Sequence, residues 1–293
     1  MPPISTPTYR FPELESVRGI AAVVVLVHHC LLGFAPMLHG LVDKNPDSLL
    51  GTPFFAAING TAAVVVFFVL SGFVLTYKAI RSQSIQLVLV QGLKRWPRLV
   101  GPVLVANMFV AILVMAGLTS YHHSAALLTE SHWLDRMYIW APSGLNEMAN
   151  AASEGLFGAF FHGQAAYNTA LWTMYYELWG SFLALGLALV AIFIPRKPIV
   201  WLLFVAAWTG ATLVNPYFGC FVVGVGLAFF YASHSNLRIG GRATLAALCV
   251  VVLLAGYHEA FYGENLPVKF YSFLAPIAKE HALLLRVCVH SSA

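Results

Sequence analysis

The stretch LESVRGIAAVVVLVHHCLLGF, residues 14–34, decides the fold class of this chain because it is long and apolar enough to cross a bilayer. It nevertheless carries two ionisable side chains, Arg18 and His29, eleven residues apart. At about 100° per residue, these steps place both side chains on one helix face, about 16 Å apart along its axis. An arginine at mid-membrane costs about 2.5–3.5 kcal/mol on insertion scales, so such residues usually face a cavity, a partner or a substrate path. Arg18 and His29 are therefore the first candidate functional residues.

The composition places the whole chain in the same class. Hydrophobic residues make up 59% of the 293 residues and charged residues 10%, and the mean hydropathy is +0.77. Soluble proteins average about 25% charged residues. The sequence therefore predicts an all-α, polytopic transmembrane helix bundle of about seven to eight spans. The seven clear apolar runs are 18–35, 62–80, 99–118, 170–194, 199–214, 217–232 and 243–258.

The connectors between these runs predict an orientation. The connector 78–98 holds five basic residues and no acid, and 195–198 and 233–242 are also basic. Lys and Arg accumulate in cytoplasmic loops, which predicts a cytoplasmic N-terminus and an extracytoplasmic loop at about 119–169. The uneven positive charge thus reports on orientation, and we find no nucleic-acid signature. The range 1–293 is interpreted as a single membrane domain.

Glu177 is the second candidate functional residue. It lies in LWTMYYELWGSF, about 10 Å into the fourth predicted span from its extracytoplasmic end, and His29 lies about 9 Å from the corresponding end of the first. The two groups are predicted in one layer, where a carboxylate can pair with an imidazole. A histidine held in this way can act as a general base, an effect of about 10²–10⁴ in rate. The alternative is a buried His–Glu or Glu–Arg pair that only fixes helix packing.

A basic cluster, LKRWPRLVGP, lies at the predicted cytoplasmic start of the third span, with Pro97 compatible with a helix beginning there. Its members Lys94, Arg95 and Arg98 are spaced i,i+4 and i,i+3, so a helix gathers them on one side. Such cations suit the phosphates of a nucleotide-like donor. Topology and lipid headgroups explain the same residues equally well.

The second predicted span contains FFVLSGFVLTY, residues 67–77, with Ser71 and Gly72 at its centre. Small residues permit close helix approach, which is the favoured reading, because no nucleophile elbow or triad spacing supports Ser71 as a nucleophile. The four cysteines are scattered singly and lack metal-ligand spacing, so no metal is predicted.

Four of these segments, taken in order, resemble the acyltransferase-3 family of integral membrane O-acyltransferases, which includes O-antigen acetylases. They are the Arg and His separated by ten residues in LESVRGIAAVVVLVHH, the FFVLSGFVL span, the basic KRWPRLVGP and the LWTMYYELWGSF segment with its glutamate. Together they cover about residues 14–182. The hydrophobic segments that follow are consistent with the family but less diagnostic.

The resemblance implies transfer of an acyl group, commonly acetyl, from cytoplasmic acyl-CoA to a hydroxyl of a carbohydrate or other acceptor. By position, Arg18, His29 and Glu177 take the catalytic places, and Arg95 and Arg98, with Lys94 beside them, the donor-binding cluster. The implied partners are membrane lipids, acyl-CoA and the acceptor, in a bacterial inner membrane or a eukaryotic endomembrane or plasma membrane. The acceptor and the oligomeric state are not specified by the sequence.

Two other interpretations stay open. Intramembrane His, Glu and Arg residues also suit a proton-coupled transporter or flippase, although matched repeat halves with broken helices are not visible. Members of the resembling family usually continue through more spans, whereas the last segment here, PIAKEHALLLRVCVHSSA, is too short and too charged to cross. An inactive, shortened family member is therefore the third interpretation.

Overall fold

The computed structural model describes residues 11–40, 45, 47–138, 144–234, 240–258 and 270–271. Within these residues the chain is helical and forms no β-strand, which confirms the predicted all-α class. A π-helical segment, Glu154–His162, and two 3-10 segments, Pro53–Ala57 and Thr169–Trp172, lie between the α-helices. The α-helices of this part of the chain are α1 (Pro12–Phe34), α2 (Pro36–His39), α3 (Gly60–Ser82), α4 (Ile85–Met115), α5 (His122–Thr129), α6 (His132–Asp135), α7 (Leu145–Ser153), α8 (Thr173–Phe193), α9 (Lys197–Val214), α10 (Pro216–Ser233) and α11 (Gly241–Gly256).

Six helices in the described residues are long and apolar enough to cross a membrane: α1, α3, α4, α8 with the 3-10 turn before it, α9 and α10. They correspond to six of the seven predicted apolar runs. The seventh run forms α11, which is apolar but has only 16 residues. Asn215 separates α9 from α10, and its side chain accepts a hydrogen bond from the backbone N–H of Tyr217 (3.0 Å). The chain is an integral membrane protein with several spans.

Helix α4 begins earlier than the sequence predicted. It starts at Ile85, after Ser84, whose hydroxyl accepts a hydrogen bond from the N–H of Leu87 (3.3 Å). Pro97 was compatible with a helix start, but Pro97 and Pro102 both lie inside this 31-residue helix. Proline is tolerated inside membrane helices where neighbouring groups satisfy the backbone that it frees. The basic cluster therefore lies within a helix rather than in a connector.

The chain divides into two compact units, and α1 contributes to both of them. Unit 1 contains Met1–Ala21, Val64–Ser120 and Trp140–Leu237. Its core joins α3, α8, α9 and α10 around buried aromatic and small residues. Phe221 of α10 stacks on Phe68 (ring centroids 5.0 Å), in a space that exists because position 180 is a glycine.

The second half of the long connector belongs to unit 1 and packs along α4. The backbone of Gly155, in the π-helical segment, approaches so closely that a Cβ there would lie 3.0 Å from Leu104 Cα. Nearby, the buried carboxylate of Glu154 accepts hydrogen bonds from Asn107 Nδ2 (3.2 Å) and from the backbone N–H of Ala166 (3.2 Å) and Tyr167 (3.3 Å). These bonds fix the segment that leads into α8.

Unit 2 contains Ala22–Ala63, Tyr121–Ile139 and Arg238–Ala293. Phe55 and Leu50 form its core together with neighbouring apolar side chains. Asn59 joins the segment before α3 to the end of α11, because its Nδ2 donates to the carbonyls of Ala255 (2.7 Å) and Tyr257 (3.2 Å). Unit 2 therefore has a small core of its own.

Two predictions fall partly or wholly on residues outside the described ranges. Residues 235–239 of the basic connector 233–242 lie outside them, as does the whole final segment, residues 276–293. The predicted cytoplasmic N-terminus, the extracytoplasmic side of the 119–169 loop and the single domain over 1–293 stay predictions.

Candidate active site

In unit 1 the side chains of Arg95 and Ser71 both contact Glu177. Its Oε1 accepts a hydrogen bond from Arg95 Nη2, and the same oxygen accepts one from Ser71 Oγ (2.7 Å). Arg95 Nε donates to Ser181 Oγ (2.8 Å). The side chains of Arg95 and Glu177 are only 14% and 13% exposed. Helices α3, α4 and α8 thus each contribute to one buried polar cluster, which we call the Glu177 cluster.

The local sequence explains this geometry. Glu177 and Ser181 are spaced i,i+4 and lie on one face of α8, so both meet the guanidinium group of Arg95 from the same side. A charge taken out of water needs an opposite charge and satisfied hydrogen bonds, and this cluster supplies both. The sequence predicted Arg95 at the cytoplasmic mouth and Glu177 in the outer layer. That separation is wrong, because the two side chains are in contact.

The other predicted cations of unit 1 differ from Arg95 in their surroundings. Lys94 and Arg98 are exposed in this structure, one helical turn apart on α4. Arg18 is one-third exposed, and its Nη1 lies 3.5 Å from Glu15 Oε1. The positive charges of Arg18 and Arg98 both act on Arg95. Since Glu177 neutralises one guanidinium only, the cations around the Glu177 cluster keep an excess of positive charge that suits an anionic group.

His29 lies in unit 2, in the part of α1 that follows Ala21. Its Nδ1 is 2.9 Å from the carbonyl oxygen of Val25, one turn earlier in the helix. A carbonyl can only accept, so the neutral ring carries its proton on Nδ1 and presents Nε2 as the basic nitrogen. The ring also lies beside Trp133, with centroids 5.8 Å apart. This tautomer is the one that a general base at Nε2 requires.

The neighbouring His28 has a different role, which the sequence did not reveal. Its Nδ1 lies 2.9 Å from His39 Nε2, 3.1 Å from the Ile58 carbonyl and 3.3 Å from the Gly60 N–H. A Cβ at Gly60 would lie 2.6 Å from His28 Cγ, so glycine is needed there. His28 therefore fastens α1 to the segment that begins α3.

His39 is the residue that sequence reasoning missed in this region. It is fully buried, and burial, followed by the charge of His28, lowers the pKa of its imidazole to about 4. It sits at the end of the four-residue helix α2, outside any apolar run, so no periodicity marked it. The only available signal was another histidine eleven residues after His28.

The predicted site residues thus fall into two sets. Arg18, Lys94, Arg95, Arg98 and Glu177 belong to unit 1, and His29 belongs to unit 2. The structure brings Glu177 to Arg95 and Ser71, which matches the alternative of a Glu–Arg pair. Pairing of His29 with Glu177 stays a prediction.

Ionisable groups held within apolar helices are typical of membrane proteins that use their spans for chemistry or transport. A family model described as the acyltransferase domain, acyltransferase-3, matches residues 11–287, and the chain belongs to this family. It is therefore a membrane acyltransferase. All predicted site residues lie within the matched range. Comparisons with curated proteins and with solved structures give no match.

Proposed function

We propose that the protein is an O-acyltransferase that moves an acyl group, specifically acetyl, from cytoplasmic acyl-CoA to a hydroxyl of a carbohydrate or other acceptor. The observation that carries the proposal is the 2.9 Å distance from His29 Nδ1 to the Val25 carbonyl oxygen, from which we infer a neutral ring that donates from Nδ1 and leaves Nε2 as the proton acceptor. Family membership supports acyl transfer in general. The donor, the acetyl group and the acceptor class are the proposed refinement.

The proposed step balances as follows in atoms and charge. His29 Nε2 takes the proton of the acceptor hydroxyl while its oxygen attacks the thioester carbonyl carbon. The carbon–sulfur bond then breaks, and the thiolate of CoA leaves with the proton that the imidazolium returns. The products are an ester and free CoA. General-base assistance of this kind contributes about 10²–10⁴ in rate.

The cations of unit 1 are proposed to serve the donor. Arg18, Arg98 and Lys94 keep exposed donor groups that can bind the phosphates of CoA. Arg95 and Glu177 are largely buried and engaged with each other, so we propose that they position these cations rather than bind phosphate directly. This assignment places the donor on the cytoplasmic side if the N-terminus is cytoplasmic, as the loop charges predict.

Replacement of the base tests the proposal. Purified full-length protein in nanodiscs, given radiolabelled acetyl-CoA and oligosaccharide acceptors, is expected to release CoA and to label an acceptor. The His29→Gln variant keeps a donor for the Val25 carbonyl but has no basic nitrogen, so we expect a loss of about 10²–10⁴ in transfer rate. CoA release and acceptor labelling are measured together.

The matched control is His234→Gln. His234 Nδ1 makes the same bond, one turn back to the Phe230 carbonyl (3.0 Å), but lies exposed at the end of α10. We expect wild-type transfer from this variant. Wild-type transfer from His29→Gln would remove His29 from catalysis, and proton-coupled uptake without any acyl transfer would favour the transporter interpretation.

A further inference from the structure

A cleft with a volume of about 440 Å³ opens in unit 2 between α5 and α6. This volume lies within the range of about 300–1,000 Å³ that is usual for small-molecule sites. Its walls combine polar and apolar side chains, as such sites usually do. Among the residues that line it are His123, Leu127, Glu130, Ser131, His132 and Asp135.

The cleft is built around a histidine–aspartate pair that joins its two helices. His123 Nδ1, from α5, lies 2.5 Å from Asp135 Oδ1, at the end of α6. An ionised carboxylate only accepts hydrogen bonds, so Nδ1 carries a proton and Nε2 is directed away from the pair. His123 and Asp135 remain 66% and 45% exposed, which leaves both groups accessible to a ligand.

Helix α6 and the residue before it contact α1 close to His29, the proposed base. Ser131 Oγ donates to the carbonyl oxygen of Leu32 (2.5 Å), three residues after His29. Trp133, which follows Ser131 by two residues, lies against the His29 ring and within 3.7 Å of the Cβ position of Gly33. The cleft and His29 are therefore held at the same end of α1.

The charges of the cleft select among ligands. Of the described residues that line it, Glu130 and Asp135 carry negative charge. Carboxylates accept hydrogen bonds from hydroxyl groups and repel a carboxylate or phosphate on a ligand. Leu127, which is 72% exposed, supplies an apolar wall for the C–H face of a sugar ring.

We propose that this cleft binds the hydroxyl-bearing acceptor and that the acceptor is a sugar or polyol that is neutral or cationic, not anionic. This inference rests on the proposed function for the identity of the ligand as an acceptor. Asp135 and Glu130 bind hydroxyl groups, and His123 Nε2 forms a hydrogen bond with a further hydroxyl. The fastening to α1 brings the bound molecule to the end of the helix that carries His29.

Direct binding tests the inference without requiring catalysis. Full-length protein in nanodiscs is titrated in a calorimeter with three probes: neutral xylotriose, cationic glucosamine trimer and anionic trigalacturonate. We expect the first two to bind and trigalacturonate to bind at least tenfold more weakly. Equal or tighter binding of trigalacturonate, or no binding of any probe, would overturn the proposal.

Two variants locate the binding. Leu127→Trp fills the cleft from an exposed position and should weaken xylotriose binding at least tenfold, whereas the control Leu128→Trp, 87% exposed and outside the lining, should leave it unchanged. Asp135→Asn removes the carboxylate charge beside His123 and replaces one acceptor oxygen by an NH₂ donor, and it should weaken binding at least fivefold. Unchanged affinity in both Leu127→Trp and Asp135→Asn would place the probes elsewhere and refute the cleft.

The proposed function and the cleft can fail separately. His29→Gln should lower the rate of acetyl transfer by about 10²–10⁴ while xylotriose still binds in the cleft, as shown by the same sensitivity of its affinity to Leu127→Trp. If the protein never transfers acetyl but binds the probes through the cleft, the proposed acetyl transfer is wrong, whereas the cleft remains a binding site for hydroxyl-bearing ligands. If the protein transfers acetyl and the Leu127→Trp variant has an unchanged KM for xylotriose, the proposal that the cleft binds the acceptor is wrong, whereas the proposed acetyltransferase activity stands.

Discussion

Unit 1 and unit 2 both hold ionisable side chains on apolar helices, but they stabilise them in different ways. In unit 1 the guanidinium group of Arg95 meets the carboxylate of Glu177, with hydroxyl groups of Ser71 and Ser181 completing the cluster. In unit 2 His29 Nδ1 contacts the Val25 carbonyl, and His28 Nδ1 lies within hydrogen-bond distance of the Ile58 carbonyl, the Gly60 N–H and His39 Nε2.

The difference follows from the chemistry of the groups. A guanidinium group keeps its charge under all physiological conditions, so inside an apolar helix it requires a counter-charge. An imidazole can stay neutral, and a single carbonyl then satisfies its donor nitrogen. A permanently paired cluster can position neighbouring groups, whereas a neutral imidazole keeps a lone pair for proton transfer. The comparison of the two units is consistent with the positioning role proposed for the Glu177 cluster and the proton transfer proposed for His29.

The largest expected effect comes from breaking the pair in unit 1. Arg95→Met leaves the Glu177 carboxylate buried with Ser71 alone, and we expect a loss of about 3–5 kcal/mol in the free energy of unfolding. The double variant Arg95→Met/Glu177→Gln should lose at least about 1 kcal/mol less than the sum of the single losses. Titration with SDS in mixed micelles, followed by tryptophan fluorescence, measures all three.

The matched control for this pair is the exposed Arg18–Glu15 contact. Glu15 is 70% exposed and lies 3.5 Å from Arg18, so Glu15→Gln should change stability by less than about 1 kcal/mol. If the stability losses of Arg95→Met and Glu177→Gln simply add up in the double variant, the two residues do not interact. Charge pairing would then no longer distinguish unit 1 from unit 2.

The second effect is a pH dependence that belongs to unit 2. Burial, followed by the charge of His28, lowers the pKa of His39 to about 4, from 6.5 in an unfolded chain. Protonation therefore favours the unfolded state, and the stability that neutral His39 provides is complete above about pH 6.5 and decreases as the pH falls toward 4. The difference corresponds to about 2–3 kcal/mol between pH 7 and pH 4.

Thermal unfolding in detergent across this pH range measures the slope. His39→Leu is expected to be less stable at pH 7, because it removes the partner of His28, but to lose less stability on acidification than the wild type. The exposed His234→Leu variant should keep the wild-type slope. If the stability of His39→Leu depends on pH as steeply as that of the wild type, another group causes the acid sensitivity. Neutral His39 would then not be the source of the pH-dependent stability of unit 2.

The sequence predicted the spans well because the bilayer imposes a length and a composition that can be read without tertiary information. The predicted runs 199–214 and 217–232 correspond to α9 and α10, which Asn215 separates. Gly72 was expected to allow close helix approach, which is confirmed because a Cβ there would lie 2.3 Å from the carbonyl oxygen of Phe221 in α10. Each of these features can be predicted from one segment of sequence without knowledge of its tertiary partners.

The arrangement of the site was harder to predict. Lys94, Arg95 and Arg98 appeared to mark the start of a span, because a sequence does not show that a glutamate about eighty residues later neutralises the middle cation. His39 lies in a short helix between predicted elements, where only the folded chain brings it to His28. Both misjudgements concern polar groups whose partners are distant in sequence. Tertiary pairing of this kind is invisible to periodicity and to charge counting.

The smallest expected effect tests whether the Glu177 cluster depends on apolar packing around it. Gly72, next to Ser71, lies so close to α10 that a Cβ would be 2.3 Å from the carbonyl oxygen of Phe221. Gly224 makes the reciprocal approach, because its Cβ would lie 2.2 Å from the Val69 carbonyl. A backbone atom cannot rotate away, so Gly72→Ala must shift α3 from α10 and should cost about 1–3 kcal/mol of stability.

Gly186→Ala is the matched control, because nothing lies within 4 Å of its Cβ position and a helix interior favours alanine over glycine by about 1 kcal/mol. This variant should be as stable as the wild type or more stable. If Gly72→Ala also displaces Ser71 from Glu177, the interaction energy between Arg95 and Glu177 should change when the Arg95→Met and Glu177→Gln variants are measured in the Gly72→Ala protein. An unchanged coupling, together with the lower stability, would show that the ion pair holds its geometry without the tight α3–α10 contact, and that unit 1 positions its charges through α4 and α8 alone.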